Sequence, residues 1–334
     1  MERMTFKTAL VGCGAIAPNH LAALATLDNV SVTALCDTKL ERAEAMRDAY
    51  AQSARVYSDF DEMLLSEELD SIHITTPHYL HAPMAIKALE KGLNVFLEKP
   101  MCISREEIDA LLRAEKASDG KICVCFQNRF NETTNLAKKL VEEDGGAESA
   151  YFTVVWQRDS AYYLNSGWRG KWATEGGGVL INQAIHSLDM LTYLLGKPDH
   201  LYATTANHHL KDEIEVEDSS EGMIVFESGK RANFYATTSF TAGNETNIYI
   251  KTKNHAIEII DSEIYVDKVR QTTQNTGNPQ IGKDCYGKGH YTLIAKYYES
   301  LEKDEEVPVS LESAQWAVRI LLAAYESHDQ KTLI

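Results

Sequence analysis

Up to about residue 126 the chain alternates short apolar runs with helix-like stretches. The runs are Ala9-Leu10-Val11, Val32 to Cys36, Ile72-His73-Ile74, Val95-Phe96-Leu97 and Ile122 to Phe126. Between them Leu21 to Leu27, Leu40 to Ala51, Pro83 to Lys91 and Arg105 to Ala117 carry apolar residues at helical spacing. Strand–helix alternation of this kind predicts a doubly wound parallel sheet covered on both faces. The rhythm then changes. A helix over Thr134 to Glu143 leads to a strand over Ala150 to Gln157, an aromatic loop, and a helix over Val179 to Leu195. Five β-rich runs follow: Leu201 to His208, Ser220 to Glu227, Arg231 to Thr238, Thr246 to Lys251 and Ala256 to Val266. Ser228-Gly229 and Ala242-Gly243 are read as hairpin turns, which makes this second sheet mostly antiparallel. Helices over Tyr291 to Leu301 and Leu311 to Ser327 close the chain, and Thr272 to Lys288 is a long, mobile loop by composition.

The expected fold is therefore α/β with two domains, consistent with 334 residues at ~150 per domain. Residues 1–126 form a Rossmann-type domain. Residues 127–334 are expected to form a second α/β domain, whose C-terminal helix is a candidate to pack back on the first. With 33 basic against 49 acidic residues the net charge is −16, which argues against nucleic-acid and anionic-membrane partners. No apolar run approaches the ~20 residues that span a bilayer. Six scattered cysteines lack zinc or redox spacing, so no metal is expected and the expected address is cytoplasmic.

Chemistry concentrates at strand ends. The first strand runs into Gly12-Cys13-Gly14-Ala15-Ile16-Ala17, a GxGxxA turn opening a helix. The first glycine permits the tight turn, the second admits a pyrophosphate, and the helix N-terminus offers N–H groups to the phosphates. Asp37 ends the second strand about 20 residues on, where an acid binds ribose hydroxyls and disfavours a 2′-phosphate. The same aspartate is also a candidate N-cap for the helical segment beginning at Lys39. NAD is the expected cofactor; NADP stays open because Lys39 is near. Thr76 and Pro77 follow the strand of Ile74, whose carbonyl end faces the same crevice, and His78 and His81 each either line it or are a loop or helix-start histidine. Glu98-Lys99-Pro100 ends another buried run, aiming an ammonium from a stiff position at the ligand-binding edge, with a Lys-Pro bond capable of being cis.

In the second half Gly176-Gly177-Gly178 precedes a helix that carries Asn182 and His186 four residues apart, while Asp189 orients or caps. Tyr163, Trp168 and Arg169, with Lys171, read either as a substrate wall or as an aromatic interface patch. His290 either joins the site or caps its helix.

These motifs in series, GxGxxA, "TPHYLHAPMAIKAL", "GLNVFLEKPM" and "GGGVLINQAIHSLDMLTYLLG", resemble the Gfo/Idh/MocA oxidoreductases over nearly the whole chain. The resemblance implies that Lys99 and His186 are catalytic and face nicotinamide and substrate, with Glu98 and Lys99 also at the cofactor. It implies a large open C-terminal sheet used in a homodimer or homotetramer. It also places Asn182 where the inositol dehydrogenase branch carries an aspartate. The expected activity is hydride transfer between NAD(P) and a secondary hydroxyl of a sugar, sugar acid, glycoside or nucleotide sugar. Three alternatives stay open: an inositol (cyclitol) dehydrogenase, an enzyme that recycles tightly bound NAD through transient oxidation, and a non-catalytic NAD-binding sensor.

Overall fold

The computed structural model describes residues 5–240, 244–273 and 288–334. They form two compact units. The first is made of the described residues within Met1–Cys102, Glu106–Gln127 and Gly277–Ala314.

In the first unit the chain runs β1 (Phe6–Val11), α1 (Ala17–Leu24), β2 (Val30–Cys36), α2 (Leu40–Tyr50), β3 (Arg55–Tyr57), α3 (Phe60–Ser66), β4 (Ser71–Ile74), α4 (His81–Glu90), β5 (Asn94–Leu97), α5 (Arg105–Lys116) and β6 (Ile122–Val124). The strands pair in the order β3-β2-β1-β4-β5-β6, all parallel. β1 therefore has β2 on one side and β4 on the other, and chain direction across the sheet reverses there. That switch point opens a crevice beyond the strand C-termini. Every residue of β4 is buried, as are Val95, Phe96 and Leu97 of β5, as a sheet covered on both faces requires. β3 and α3 are short, three and seven residues, and α3 buries only Met63, so the hydrophobic pattern did not predict them. β3 is paired through β2, and Asp59 caps α3 by accepting from Glu62 N at 2.8 Å.

Helix Gly289–Glu302 belongs to this unit and packs on α1. Its Tyr298 hydroxyl lies 3.0 Å from Ser71 Oγ and donates to Thr8 Oγ1 at 3.1 Å, and its Tyr297 ring meets Phe96 edge-on.

The second unit contains the described residues within Ile103–Arg105, Asn128–Thr276 and Gln315–Ile334. It carries α6 (Glu132–Glu143), β7 (Ala147–Trp156), α7 (Ser160–Leu164), α8 (Ile185–Leu195) and strands β8 (Pro198–Ala206), β9 (Ser219–Phe226), β10 (Arg231–Thr237), β11 (Asn244–Thr252), β12 (Ala256–Ile260), β13 (Glu263–Val266) and β14 (Val269–Arg270). With β15 (Thr332–Leu333) they make a nine-stranded sheet, β14-β13-β12-β11-β7-β10-β9-β8-β15, antiparallel except for β7 beside β10.

Alternation decides which face is packed. Phe152 and Phe234 stack on the inner side, where α8 covers β7, while Tyr151 and Tyr235 point outward. The turn at Ser228-Gly229 joins β9 to β10, with Gly229 at φ +79°. The run Ala256 to Val266, expected as one strand, is two: Asp261 takes a positive φ of 49° and folds it into a hairpin, a conformation that Asp tolerates better than most residues. Ala242-Gly243 and most of the loop over Thr272 to Lys288 lie outside the described residues. Among the described residues no helix is long and apolar enough to cross a membrane.

Candidate active site

The glycine turn after β1 shows two different needs for glycine. A Cβ on Gly12, which has φ +93°, would sit 2.7 Å from the Thr75 carbonyl and Thr76 N, so the β1 and β4 ends touch only because it is absent. A Cβ on Gly14 would meet nothing within 4 Å. That is an open cradle at the start of α1, where helix N–H groups favour an anion. Thr75 Oγ1 donates to Gly12 O at 2.6 Å, whereas Thr76 Oγ1 is buried with no partner. An orphaned hydroxyl beside an open glycine cradle fits the polar backbone of a dinucleotide.

Asp37 is not the cap of α2. The helix begins at Leu40, and the carboxylate instead accepts from Cys13 N at 2.9 Å and Lys39 N at 2.8 Å, tying the glycine turn to the end of β2. His81 is a clamp. Its Nδ1 lies 2.6 Å from Pro100 O and its Nε2 2.8 Å from Thr76 O, so both ring nitrogens engage backbone and the imidazole is not available to line a crevice. His78 is buried in the short helical turn His78–Leu80, behind Pro77.

Lys99 follows β5, and its bond to Pro100 is cis. Glu98, only 7% exposed, anchors this corner. One carboxylate oxygen lies 3.0 Å from His20 Nε2 and 3.8 Å from His290 Nε2, and the other accepts from Lys99 N at 3.1 Å. His20 Nδ1 meets His73 Nδ1 at 3.0 Å, and His73 Nε2 meets the Tyr298 hydroxyl at 3.0 Å. Burial pushes the Glu98 carboxyl up, but its bonds to His20 and His290 outweigh burial and hold it well below the usual carboxylate range. Burial drives His73 and His290 down. The corner carrying Lys99 thus rests on a buried anion braced by imidazoles.

His20, Glu98, Cys125 and His290 present metal-ligand atoms within 4.8 Å of one another, although the His20–Glu98 distance is that of a hydrogen bond. Sequence reasoning missed His20 and His73. The available signal was a histidine inside the apolar run Ile72-His73-Ile74, since buried polar groups need partners.

In the second unit the three glycines answer to the protein itself. A Cβ on Gly178 would collide with the Glu217 carbonyl oxygen, one on Gly177 with the Tyr325 hydroxyl, and one on Gly176 would lie 2.5 Å from Ile103 Cβ. The helix they precede is not regular at its start. Leu180–Ala184 form a π-helical turn before α8 begins at Ile185, so the step from Asn182 to His186 passes from π into α geometry. Such insertions recur at functional sites. Buried Glu217 caps the turn, accepting from Gly178 N at 2.8 Å, Leu180 N at 3.0 Å and Tyr325 Oη at 3.1 Å. Burial pushes its carboxyl up to about 7 against those hydrogen bonds.

Asp189 is structural. It receives a two-pronged contact from Arg129 at 2.6 and 2.8 Å, both side chains buried. Asn182 Nδ2 donates to Glu175 Oε1 at 2.5 Å and Tyr162 Oη at 3.2 Å, and His186 is half-buried one turn on. Of the expected aromatic wall, Trp168 and Arg169 stack with a 4.7 Å guanidinium-to-ring distance. Tyr163 differs from expectation. Its ring is buried with Leu210, Ile214 and Val216, and its neighbour Tyr162 makes the contact to Asn182. Adjacent residues on so short a helix point apart, and the sequence does not say which faces in.

A family model described as an oxidoreductase family with an NAD-binding Rossmann fold, GFO_IDH_MocA, matches residues 6–126, and a GFO/IDH/MocA C-terminal domain model matches residues 134–258. The uncharacterized oxidoreductase YrbE of Bacillus subtilis is 24% identical, covering 96% of this chain and 93% of its own length. D-glucoside 3-dehydrogenase of Escherichia coli is 26% identical over 69% of each chain. The crystal structure of the WlbA dehydrogenase from Bordetella pertussis, in complex with NADH and UDP-GlcNAcA, superposes with a TM-score of 0.86 at 26% identity, covering 99% of both chains.

Proposed function

The chain belongs to the Gfo/Idh/MocA family of oxidoreductases and binds NAD through its Rossmann fold, and from that premise we propose how it acts. The reaction is hydride transfer between NAD and a secondary hydroxyl of a sugar, sugar acid, glycoside or nucleotide sugar. Residues 1–126 serve the cofactor, and residues 127–334 serve substrate and assembly.

NAD, when bound, supplies the hydride acceptor or donor. The Gly12 to Ile16 backbone and the α1 N-terminus hold its phosphates, and Asp37 accepts from the adenosine ribose hydroxyls. Thr76, Pro77 and His78 complete that edge, and Glu98, which faces inward, braces it from within. Lys99 stabilises the oxygen of the reacting hydroxyl as negative charge develops on it. His186 takes the hydroxyl proton in oxidation and returns it in reduction. Asn182 holds a substrate hydroxyl without titrating, which argues against the inositol branch.

The observation that carries this reading is the placement of Lys99. It stands at the C-terminal edge of the parallel sheet, on a strand end braced by the buried Glu98–His20–His290 set, in the unit that also holds the open Gly14 cradle. Single-turnover hydride transfer by Lys99→Ala and His186→Ala variants tests it.

Assembly uses the outer face of the nine-stranded sheet. Tyr202, Met223, Asn233, Tyr151 and Tyr249 stand in one row across adjacent strands, and Tyr151 is 39% exposed. Such a row supports a homodimer or homotetramer, since aromatic residues are enriched where surfaces are buried by a partner. The five described cysteines are buried and none of them is in a disulfide, which supports a reducing, cytoplasmic address.

A further inference from the structure

Arg158 and Arg169 of the second unit have no acidic partner among the described residues. Arg47, Arg55 and Arg129 each pair with a carboxylate, as expected in a chain of net charge −16. Arg158 and Arg169 are held by aromatic rings instead. The Arg158 guanidinium carbon lies 4.9 Å from the Trp156 ring and 4.8 Å from Tyr162. That of Arg169 lies 4.7 Å from Trp168 and 4.6 Å from the same Tyr162. Stacking fixes each guanidinium plane without consuming its N–H donors.

Those donors are not used up. Both Nε atoms are buried and lack an acceptor, while one Nη of Arg158 donates to Gln157 O at 2.7 Å. The nearby acid, Asp159, accepts from Tyr162 N at 3.1 Å as the cap of α7. Desolvated cationic donors without an acceptor are costly unless a ligand supplies one. The pair is also close to the chemistry proposed for this unit, because Tyr162, whose ring both arginines stack on, accepts at its hydroxyl from Asn182 Nδ2 at 3.2 Å.

We propose that Arg158 and Arg169, presented by Tyr162, form a clamp for an oxyanion group on the substrate, which is therefore an acidic or phosphorylated sugar and not a neutral polyol. A guanidinium fork matches carboxylate and phosphate oxygens equally well. The inference rests on the dehydrogenase reading above and narrows its substrate class.

The test is calorimetric binding to the NAD-loaded full chain, with four probes: D-glucose, D-glucuronate, glucose 1-phosphate and UDP-glucose. At least one anionic probe binds about tenfold or more tighter than glucose, and raising the salt concentration weakens it. Glucuronate as the preferred probe identifies a carboxylate as the natural group; either phosphate-bearing probe identifies phosphate. In Arg158→Gln and Arg169→Gln the anion-to-glucose affinity ratio falls roughly tenfold to a hundredfold, the loss of one charge-assisted hydrogen bond or two. Arg169→Lys, which keeps the charge but loses the fork, falls between, and it serves if a glutamine variant does not fold. Glucose binding as tightly as all three anions overturns the clamp, as does a ratio unmoved by these substitutions. NADH formation from a neutral sugar at equal rates in wild type and both variants overturns the clamp and leaves the dehydrogenase reading intact. Anion binding that depends on both arginines, with no NADH from any probe or other sugar, does the reverse.

Discussion

Asp37 and Glu98 show how differently two buried carboxylates of one unit are used. Asp37 accepts from the N–H groups of Cys13 and Lys39, so it braces the glycine turn in addition to its proposed role at the adenosine ribose. Asp37→Ala therefore loses both the brace and the ribose acceptor. We expect the NAD dissociation constant, measured by fluorescence quenching, to rise tenfold or more, at ~1.5–3 kcal/mol per charged hydrogen bond. The preference for NAD over NADP is expected to narrow with it. Glu98 faces inward, and its partners explain what the sequence hid. Lys99 stood out because it follows an apolar run, but His20 and His290 converge on Glu98, and His73 backs His20, from three separate elements. A contact made through space between residues 20, 73, 98 and 290 leaves no local periodicity to read. The same holds for Tyr162 against Tyr163, where the choice of inward ring depends on Leu210, Ile214 and Val216, far along the chain.

At the scale of the element, the parallel strands other than β3 were legible because each is a mostly apolar run between turn signals, and α10 (Leu311–Ser327) was legible to its ends. β3 and α3 were not, since both are too short for a periodic pattern to stand out and are fixed by a neighbouring strand and a cap. The π turn at Leu180–Ala184 was also hidden, because an inserted residue changes hydrogen-bond register without changing composition. Its cap gives a pH prediction. Glu217 has a folded-state pKa raised to about 7 from 4.5, so the folded protein keeps a proton that the unfolded chain has already released. This group's contribution is full below pH 4.5 and is lost as pH rises through 7, by up to ~3 kcal/mol. Glu217→Gln cannot ionise, so urea unfolding should show a flatter stability–pH curve across that window than wild type. Curves that stay parallel would show that Glu217 is not the group titrating.

For the whole molecule, the order β3-β2-β1-β4-β5-β6 and the wide mixed sheet together account for the two roles of the chain, one cofactor-binding and one presenting an open face. The aromatic row on that face gives a prediction at this scale. Replacing Tyr151 and Tyr235, which are exposed on adjacent strands β7 and β10, by glutamate places like charges in the proposed interface. Light scattering should then report a smaller particle than wild type, with the thermal transition of the isolated chain retained. An unchanged mass would place the interface elsewhere.

The central claim is that Lys99 and His186 divide the handling of one hydroxyl between charge and proton. Rapid-mixing single-turnover hydride transfer with the NAD-loaded chain, followed by NADH absorbance, separates that step from binding and release. The account predicts that Lys99→Ala and His186→Ala each slow the transfer by ~10²–10⁴-fold, the cost of losing a positioned acid–base or electrostatic group. NAD affinity should stay within a few-fold of wild type in the His186 variant. Transfer at near-wild-type rates in either variant would contradict it.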